Sequence, residues 1–389
     1  MHSTARSAMD LFSPEVAEEP YGYYRKLRDA GPVVYLENLD AYALSRYEDV
    51  RAALKDWHTF GSAEGTAFNP AMNENVQGVI LTAEPPEHGA LRAALMDRLR
   101  LSTVRELGDW VQERADEFVD PLVQLGSFDV ATELSRPFPA SVVGELIGLK
   151  PEMTEKFVVG SDAVFAAMGP MNDLTRRGLS IVGEVLETIA GLSADDLVPG
   201  SMGADLYEAA ARGEIPPDHV VKLLWNYAGP AFDTTIHAIS NLIRALADNP
   251  GQLALLHENP SLVPAAVDEG LRYDAPIQIW GRYCRKDFAF GDSVVPADSR
   301  VALLFGAANR DERRFPAPDR FDIRRNARDM LSFGYGLHRC TGAPLAQLEI
   351  EAVLRAFVTR VQAVEVLESE RHLNHTVRGF RSLRIQVHT

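Results

Sequence analysis

The sequence predicts a mainly α-helical protein with small peripheral β-sheets. Three observations carry that prediction. Apolar residues recur at helical spacing through most of the 389 residues. Proline and glycine punctuate the helical runs, as at Gly31-Pro32 and Gly169-Pro170. Runs rich in β-branched and aromatic residues are short, at residues 33–47, in the stretch up to 301 and at 363–389. With 46% hydrophobic and 24% charged residues, the chain has the balance of a globular rather than a disordered protein. A chain of this length buries most of its apolar surface without disulfide or metal staples. No internal repeat is visible, which argues against solenoids and propellers.

Taken in order, residues 21–30 read as a short amphipathic helix stopped by Gly31-Pro32. Residues 33–47 read as two short strands about a polar turn at 37–40, and 47–56 as helix. Residues 60–78 hold Gly61, Gly65, Asn69, Pro70, Asn73, Asn75 and Gly78 with little periodicity, and a loop that long inside a compact chain is usually functional or mobile. Helical patterns return at 87–101, 104–125, 137–149 and 152–168, and again from Asn172, placed as an N-cap, to about 192.

The longest predicted helix runs from Pro216-Pro217-Asp218 to Asp248-Asn249-Pro250, bounded by proline at both ends as a helix should be. Its length is about 31 residues, or ~46 Å, and apolar residues all round it mark it as buried. Pro230 sits inside it after Gly229. Proline there removes a backbone donor and clashes one turn back. A tolerated kink and an opening of the helix against a bound group are equally compatible with the residues alone. Residues 261–273 are predicted helical, 310–328 an ordered loop because Phe315 and Phe321 need burial, 344–361 a final helix, and 363–389 strands.

Charge and cysteine usage exclude several function classes. Lys and Arg number 39 against 55 Asp and Glu, a net charge of −16. That opposes binding to nucleic acid, which needs a basic face, and docking on anionic lipid. Two cysteines, Cys284 and Cys340, exclude a disulfide framework and a zinc site of paired cysteines. No stretch approaches the ~18 unbroken apolar residues of a membrane span. Residues 1–20 carry Asp10, Glu15, Glu18 and Glu19 instead of the apolar core of a signal peptide. The expectation is a cytoplasmic protein without membrane contact.

The sharpest motif is Phe333-Gly334-Tyr335-Gly336-Leu337-His338-Arg339-Cys340-Thr341-Gly342. A cysteine follows a glycine-rich turn and precedes a helix. Glycine permits positive φ and close backbone approach. A helix N-terminus favours negative charge on the sulfur, and amides of the turn can point at it. A buried free cysteine beside a tight turn, or a nucleophile, are the competing readings; no His/Asn pattern supports the nucleophile.

These ten residues match, in type and spacing, the haem-ligand loop of the cytochrome P-450 superfamily of haem-thiolate monooxygenases, which the chain resembles over nearly its whole length. The resemblance implies one domain over residues 1–389 with the triangular-prism cytochrome P-450 fold, and haem b (iron protoporphyrin IX) as cofactor. It implies Cys340 as the proximal iron ligand, whose thiolate favours O–O cleavage. Glu269-Gly270-Leu271-Arg272 resembles the E-x-x-R helix of that family, and Arg320 the third member of its structural charge cluster. His88 and Arg92, four apart on one helix face, with Arg282 and His338, match positions that hydrogen-bond the haem propionates, which need cationic donors where they are buried. Phe333 is placed at the cofactor with them.

Asp233 and Thr234, within Asp233-Thr234-Thr235, resemble the acid–alcohol pair that supports proton delivery to bound dioxygen. The chain departs from the family just before them, where Pro230-Ala231 replaces a small residue followed by glycine. Residues 60–78 and 157–179 match the segments that roof the haem pocket, and Phe165, Met168, Trp225, Phe232, Ile277 and Trp280 are candidate wall residues. Residues 163–174 and 374–386 are similar to members that oxidise small benzoates and O-demethylate methoxyaromatics. The resemblance thus implies a monomeric enzyme that uses O2 to hydroxylate or O-demethylate a small aromatic substrate. With no flavin or iron–sulfur segment in the chain, a ferredoxin and an NAD(P)H-dependent reductase are the expected electron donors, docking near Arg98, Arg100 and Arg339. A peroxide-driven peroxygenase and a non-catalytic haem sensor are the alternatives.

Overall fold

Helices form where apolar spacing and stop signals coincide. In a computed structural model describing residues 4–389, Tyr21–Ala30 is helical over its predicted bounds. The first three residues of the expected 1–389 unit lie outside the described residues. Asn172 caps Asp173–Ala190 by accepting from the Thr175 amide at 3.0 Å. The final helix is Ala343–Val358. The architecture is mainly α with small sheets, as predicted. No helix among the described residues is long and apolar enough to cross a membrane.

The largest sheet has six strands, in the order Ala5–Ser7, Val34–Leu36, Ala41–Leu44, Ser299–Leu303, Trp280–Cys284, Phe60–Gly61. Its Trp280–Cys284 strand runs antiparallel to Ser299–Leu303, with Arg282 opposite Val301. Side chains alternate along a strand, so Trp280 and Arg282 share one face. A second, antiparallel sheet joins Ala363–His372, Gly379–His388 and Ser127–Asp129. One apolar core lies between the six-stranded sheet and the helices Pro151–Ala167 and Pro217–Ala228, around Phe157, Phe165, Leu223 and Phe232. Another packs Asp233–Asp248, Val263–Tyr273 and Ala343–Val358 together through Leu246, Val267, Phe321 and Phe357.

Four expectations are corrected. The single helix expected between Pro216 and Pro250 is two, Pro217–Ala228 and Asp233–Asp248. Pro230 has no amide to continue the ladder, so a full break replaces the kink. Residues 104–125 divide into Leu101–Glu106 and Gly108–Leu125, with Gly108 weakening the joint. The 60–78 segment contains a one-turn helix, Pro70–Asn75, with Asn69 accepting from the Met72 amide. Among the described residues, two helices of nine or more residues went unread, Met202–Ala211, capped by Ser201, and Pro250–Glu258, opened by its own proline.

The fourth correction concerns the buried charge cluster. Glu269 and Arg272 are fully buried and paired through two bonds, Nε to Oε2 at 2.6 Å and Nη2 to Oε1 at 2.8 Å. Arg272 also donates to the carbonyls of Asn309 and Pro318, both at 2.9 Å. The third side chain is Arg325, not Arg320: its Nε donates to Glu269 Oε1 at 3.2 Å. Arg320 turns its side chain, 71% exposed against 11% for Arg325, to Asp322 and contributes only its carbonyl. The Pro316–Arg320 turn folds its backbone, rather than its arginine, onto the cluster, since Arg325 also donates to the carbonyls of Pro316 and Ala317.

A second network ties both ends of the chain to this region. Asp274 accepts from Arg378 Nε at 2.8 Å and from the Tyr21 hydroxyl, with Arg371 at 3.3 Å. Burial pushes its carboxyl up, but the charges of Arg378 and Arg371 outweigh this and hold it far below the usual range.

Two predictions follow from these clusters. Arg325→Ala removes a donor from a buried carboxylate and should destabilise the fold by about 1–3 kcal/mol. Arg320→Ala should leave the urea midpoint unchanged within about 0.5 kcal/mol. The reverse ranking would restore Arg320 to the cluster. Asp274 has a folded pKa below its unfolded one, so its contribution is fully present above the unfolded value and is lost as pH falls through the folded one. Asp274→Asn should therefore lower stability at pH 7 and flatten the acid limb of stability against pH, read as urea midpoints from pH 7 downward.

Candidate active site

The Cys340 loop is built by its glycines. Gly334 and Gly336 have φ of 66° and 73°, which side chains other than glycine rarely adopt. A Cβ at Gly336 would stand 2.7 Å from the Leu54 carbonyl oxygen, so the loop lies tightly on the Tyr47–Lys55 helix. The Cys340 amide donates to the Phe333 carbonyl at 2.9 Å, closing the loop just before Ala343–Val358. The sulfur lies deep within the protein, yet it has open surface because it faces a cavity. Burial pushes its thiol up, against hydrogen bonds from the Gly342 and Ala343 amides and the charges of Arg92 and Arg339. The net effect is upward, so this sulfur ionises fully only against a further positive partner in the cavity. Cys284 is buried in the sheet, its thiol on the Lys286 carbonyl, and does not border the cavity.

Four cationic or basic side chains converge beside the loop. His88 and His338 meet edge to face at 4.8 Å. Arg92 donates to the Arg339 carbonyl and Arg282 to the Gly281 carbonyl, both at 2.9 Å. Among the described residues, no carboxylate makes an ion pair with Arg92 or Arg282. Burial pulls Arg282 down to about 10 despite the more distant Glu84. Burial, then the Arg282 and His88 charges, pull His338 down to about 3. Its Nε2 is buried without a hydrogen-bond partner. These donors fit a group that brings two carboxylates into the cavity, and the thiol fits a metal held above it. Haem b has both features.

Opposite the loop, the broken helix borders the cavity with Pro230, Ala231, Thr234 and Thr235. The Thr234 hydroxyl donates to the Pro230 carbonyl at 3.2 Å, a carbonyl freed by the break. Of the predicted wall residues, Phe165, Met168, Trp225, Ile277 and Trp280 line the cavity, as does Phe333. Phe232 does not: it is fully buried in the core behind the break. Asp233 is also absent from the lining. Its amide donates to Ser161 Oγ at 3.1 Å, and its carboxylate lies 3.3 Å from His237. The expected acid–alcohol pair is therefore divided, with the alcohol at the cavity and the acid turned behind it.

Thr66, Met72 and Val76 from the 60–78 segment and Val164 from Pro151–Ala167 complete the roof, whereas the next helix, Asp173–Ala190, does not reach it. Sequence reasoning missed Met202, whose helix went unread, and Glu349, fully buried on the helix after the loop. Burial holds Glu349 well above the usual carboxylate range, and its Oε1 has no partner. A carboxyl nine residues after the cysteine, on the inward face of an otherwise apolar helix, was the available signal.

The chain's likeness to known proteins agrees with this geometry. Residues 201–376 match the family model described as cytochrome P450. The chain is 34% identical over 385 residues to cytochrome P450 CYP199A2 of Rhodopseudomonas palustris, covering 97% of this chain and 93% of that protein. It is 32% identical over 391 residues to the beta-dihydromenaquinone-9 omega-hydroxylase of Mycobacterium tuberculosis, covering 97% and 78%. Among solved structures, cytochrome P450 CREJ in complex with (4-ethylphenyl) dihydrogen phosphate superposes with a TM-score of 0.86 at 28% identity, covering 98% and 99% of the two chains. CalO2 gives 0.85 at 28% identity, covering 99% of each. A likeness this continuous, in a chain whose glycine-rich cysteine loop opens on a cation-bordered cavity, makes the protein a member of the cytochrome P450 family and a haem b-dependent monooxygenase.

Proposed function

We propose that this monooxygenase inserts one atom of O2 into a small, neutral aromatic substrate, a phenol or an aryl ether, with Cys340 as its iron ligand. The observation that carries the reading is the Cys340 sulfur facing a cavity beside four basic groups that, among the described residues, make no ion pair with a carboxylate. His88, Arg92, Arg282 and His338 would hold the two haem carboxylates, and Phe333 would border the cofactor beside Cys340. Bound haem supplies the oxygen activation. The residues around it orient the substrate, exclude water and move protons. Thr234 would offer its hydroxyl to the cavity as the proton donor, with Asp233 supplying it from behind. A methoxyaromatic hydroxylated on its methyl group would collapse to a phenol and formaldehyde.

The substrate class follows from where charge is placed. His88, Arg92, Arg282, His338 and Arg339 all gather at the loop. The remaining lining is apolar apart from neutral groups such as Thr66, Asn226, Tyr227 and Ser332, and from Glu349, which burial keeps in its neutral form. The Phe165 and Trp280 rings, 6.4 Å apart and edge to face, suit a flat molecule. A carboxylate among these walls would be buried without a partner.

Electrons come from a separate acidic carrier, a ferredoxin reduced by an NAD(P)H-dependent reductase. Arg339 is exposed on the loop, and Arg98 and Arg100 are also exposed, although Arg98 pairs with Asp205. One observation favours a second reading, peroxide-driven turnover: the acid of the pair is turned away from the cavity.

Two measurements check the proposal. Cys340→Ser should abolish the absorption band of thiolate-ligated haem in the reduced, carbon monoxide-bound protein; an unchanged spectrum would remove this sulfur from the iron. In titrations read by the Soret shift, 4-methoxyphenol or anisole should bind at least about tenfold more tightly than 4-methoxybenzoate, because the carboxylate is left unpaired. Tighter binding of the benzoate would exclude the neutral class.

A further inference from the structure

Behind the broken helix, on the side away from the cavity, four titratable side chains from three elements meet in a row. Asp233 and His237 lie one turn apart on Asp233–Asp248, with Oδ1 and Nε2 separated by 3.3 Å. The His237 ring stacks on His372 of the Ala363–His372 strand, with centroids 5.0 Å and planes 19° apart. His372 Nε2 lies 2.6 Å from Oδ1 of Asp162 on Pro151–Ala167, and Asn374 donates to the same oxygen at 2.8 Å. Exposure falls along the row. The Asp162 and His372 side chains are 40% and 23% exposed, those of Asp233 and His237 only 7% and 5%.

The inner end of the row is incompletely bonded. Both ring nitrogens of His237 and Oδ2 of Asp233 are buried without a hydrogen-bond partner. Such groups are rare in folded proteins and call for an explanation. The backbone of Gly379 lies so close that any side chain there would collide with the His237 ring. The ring is thus held at a defined place, with Nε2 toward Asp233 and Nδ1 beside the Gly379 backbone.

We propose that His237 relays protons from the Asp162–His372 pair at the surface to Asp233, and through it to the Thr234 hydroxyl at the cavity. The proposal rests on the reading of Asp233 and Thr234 given above and extends it outward to solvent. Only protons move. Solvent protonates the Asp162–His372 pair; the stacked rings turn faces rather than nitrogens to each other, so the proton crosses when the His372 ring turns edge-on and presents its N–H to His237. His237 releases the proton from its other nitrogen to Asp233, and Asp233 passes it to the Thr234 hydroxyl as that hydroxyl donates its own into the cavity. The next solvent proton restores the row, and the electrons are those of the monooxygenase reaction itself.

The electrostatics draw a proton to the outer end of the row. Burial pulls the His372 imidazole down, but the hydrogen bond and charge of Asp162, with the charge of Asp233, outweigh it and hold the ring above its usual range. Arg381, from the facing Gly379–His388 strand, opposes this. Burial pushes Asp162 up, and His372, Asn374 and the His237 charge outweigh it, holding the carboxylate ionised.

The test uses the holoenzyme. His237→Gln keeps a polar side chain of similar reach that cannot carry the proton. The ratio of oxygen-driven to peroxide-driven turnover should fall at least about tenfold, a fraction of what a positioned acid or base contributes, and the solvent deuterium isotope effect on the oxygen-driven reaction should rise. His372→Gln, nearer the surface, should lower the same ratio less, and it decides the matter if His237→Gln does not retain haem. Apart from turnover, 15N-histidine NMR of the ferrous, carbon monoxide-bound protein should show the His237 resonance moving as His372 titrates, and that movement should vanish in His372→Gln. An unchanged ratio in the variants that retain haem, or a His237 resonance indifferent to His372, overturns the relay. Thr234→Ala separates the two layers. If it leaves the ratio unchanged, the acid–alcohol reading itself fails; if it lowers the ratio while His237→Gln does not, only the relay fails.

Discussion

Buried positive charge without a carboxylate in contact is the constraint around which the cavity is organised. Arg282 is held inside the protein with only its own strand's carbonyl in reach, and burial lowers its affinity for its proton. His338 is pulled much further, to about 3, and its Nε2 is unsatisfied. A fold tolerates one-sided charge only if a counter-charge arrives. On the proposed reading that counter-charge is the carboxylates of haem, and the same docking brings a cation to a thiol that burial otherwise keeps protonated. Each partner then relieves the desolvation of the other, so binding of the cofactor and stability of the fold are linked.

The charge clusters can be told apart by how completely they are satisfied. Glu269 and Arg272 are as deeply buried as anything at the cavity, yet their donors and acceptors meet each other, Arg325 and the carbonyls of Asn309 and Pro318. That closure marks a structural device that fixes the 309–325 loop against the Val263–Tyr273 helix. Asp274 is closed in the same way by Arg378, Arg371 and Tyr21, three partners distant in sequence. The groups at the cavity, and the row running outward from Asp233, are left open. Burial alone would rank all three places equally; the missing partners distinguish the places that face chemistry.

Where each segment agreed with its sequence reading depended on how local its determinants were. The Tyr21–Ala30 helix, the Asn172 cap and the glycine-rich loop before Cys340 are decided within a few residues, and they stand where their patterns put them. His88, Arg92, Arg282 and His338 were legible as a set because buried haem carboxylates demand donors, and they do converge. Arg320 was misread for Arg325 because both are arginines in one charged loop, and only the backbone turn at Pro316–Arg320 decides which of them reaches Glu269. Phe232 was misread as wall because a helix assumed continuous through Pro230 would place it two turns from Trp225 on the same face; the break rotates it into the core. His237 and His372 could not be joined from sequence at all, since 135 positions separate them and only the packing of the Gly379–His388 sheet on the Asp233–Asp248 helix brings them together.

The break at Pro230 links these matters. In an unbroken helix the carbonyl of residue 230 would accept from the amide of Thr234; here the Thr234 hydroxyl lies within 3.2 Å of it, at the first turn of the restarted helix. Restarting the helix at Asp233 also sets the rotation of that residue. Its amide is claimed by Ser161 of the neighbouring helix, which holds the carboxylate on the far side from the cavity, toward His237. An acid facing the cavity would exchange protons with whatever water reached it there. On the proposed relay an acid facing His237 is supplied instead from the opposite surface, through a row whose outer members are the more exposed. The same residue that interrupts the helix beside the cavity thereby separates the entry of substrate from the entry of protons.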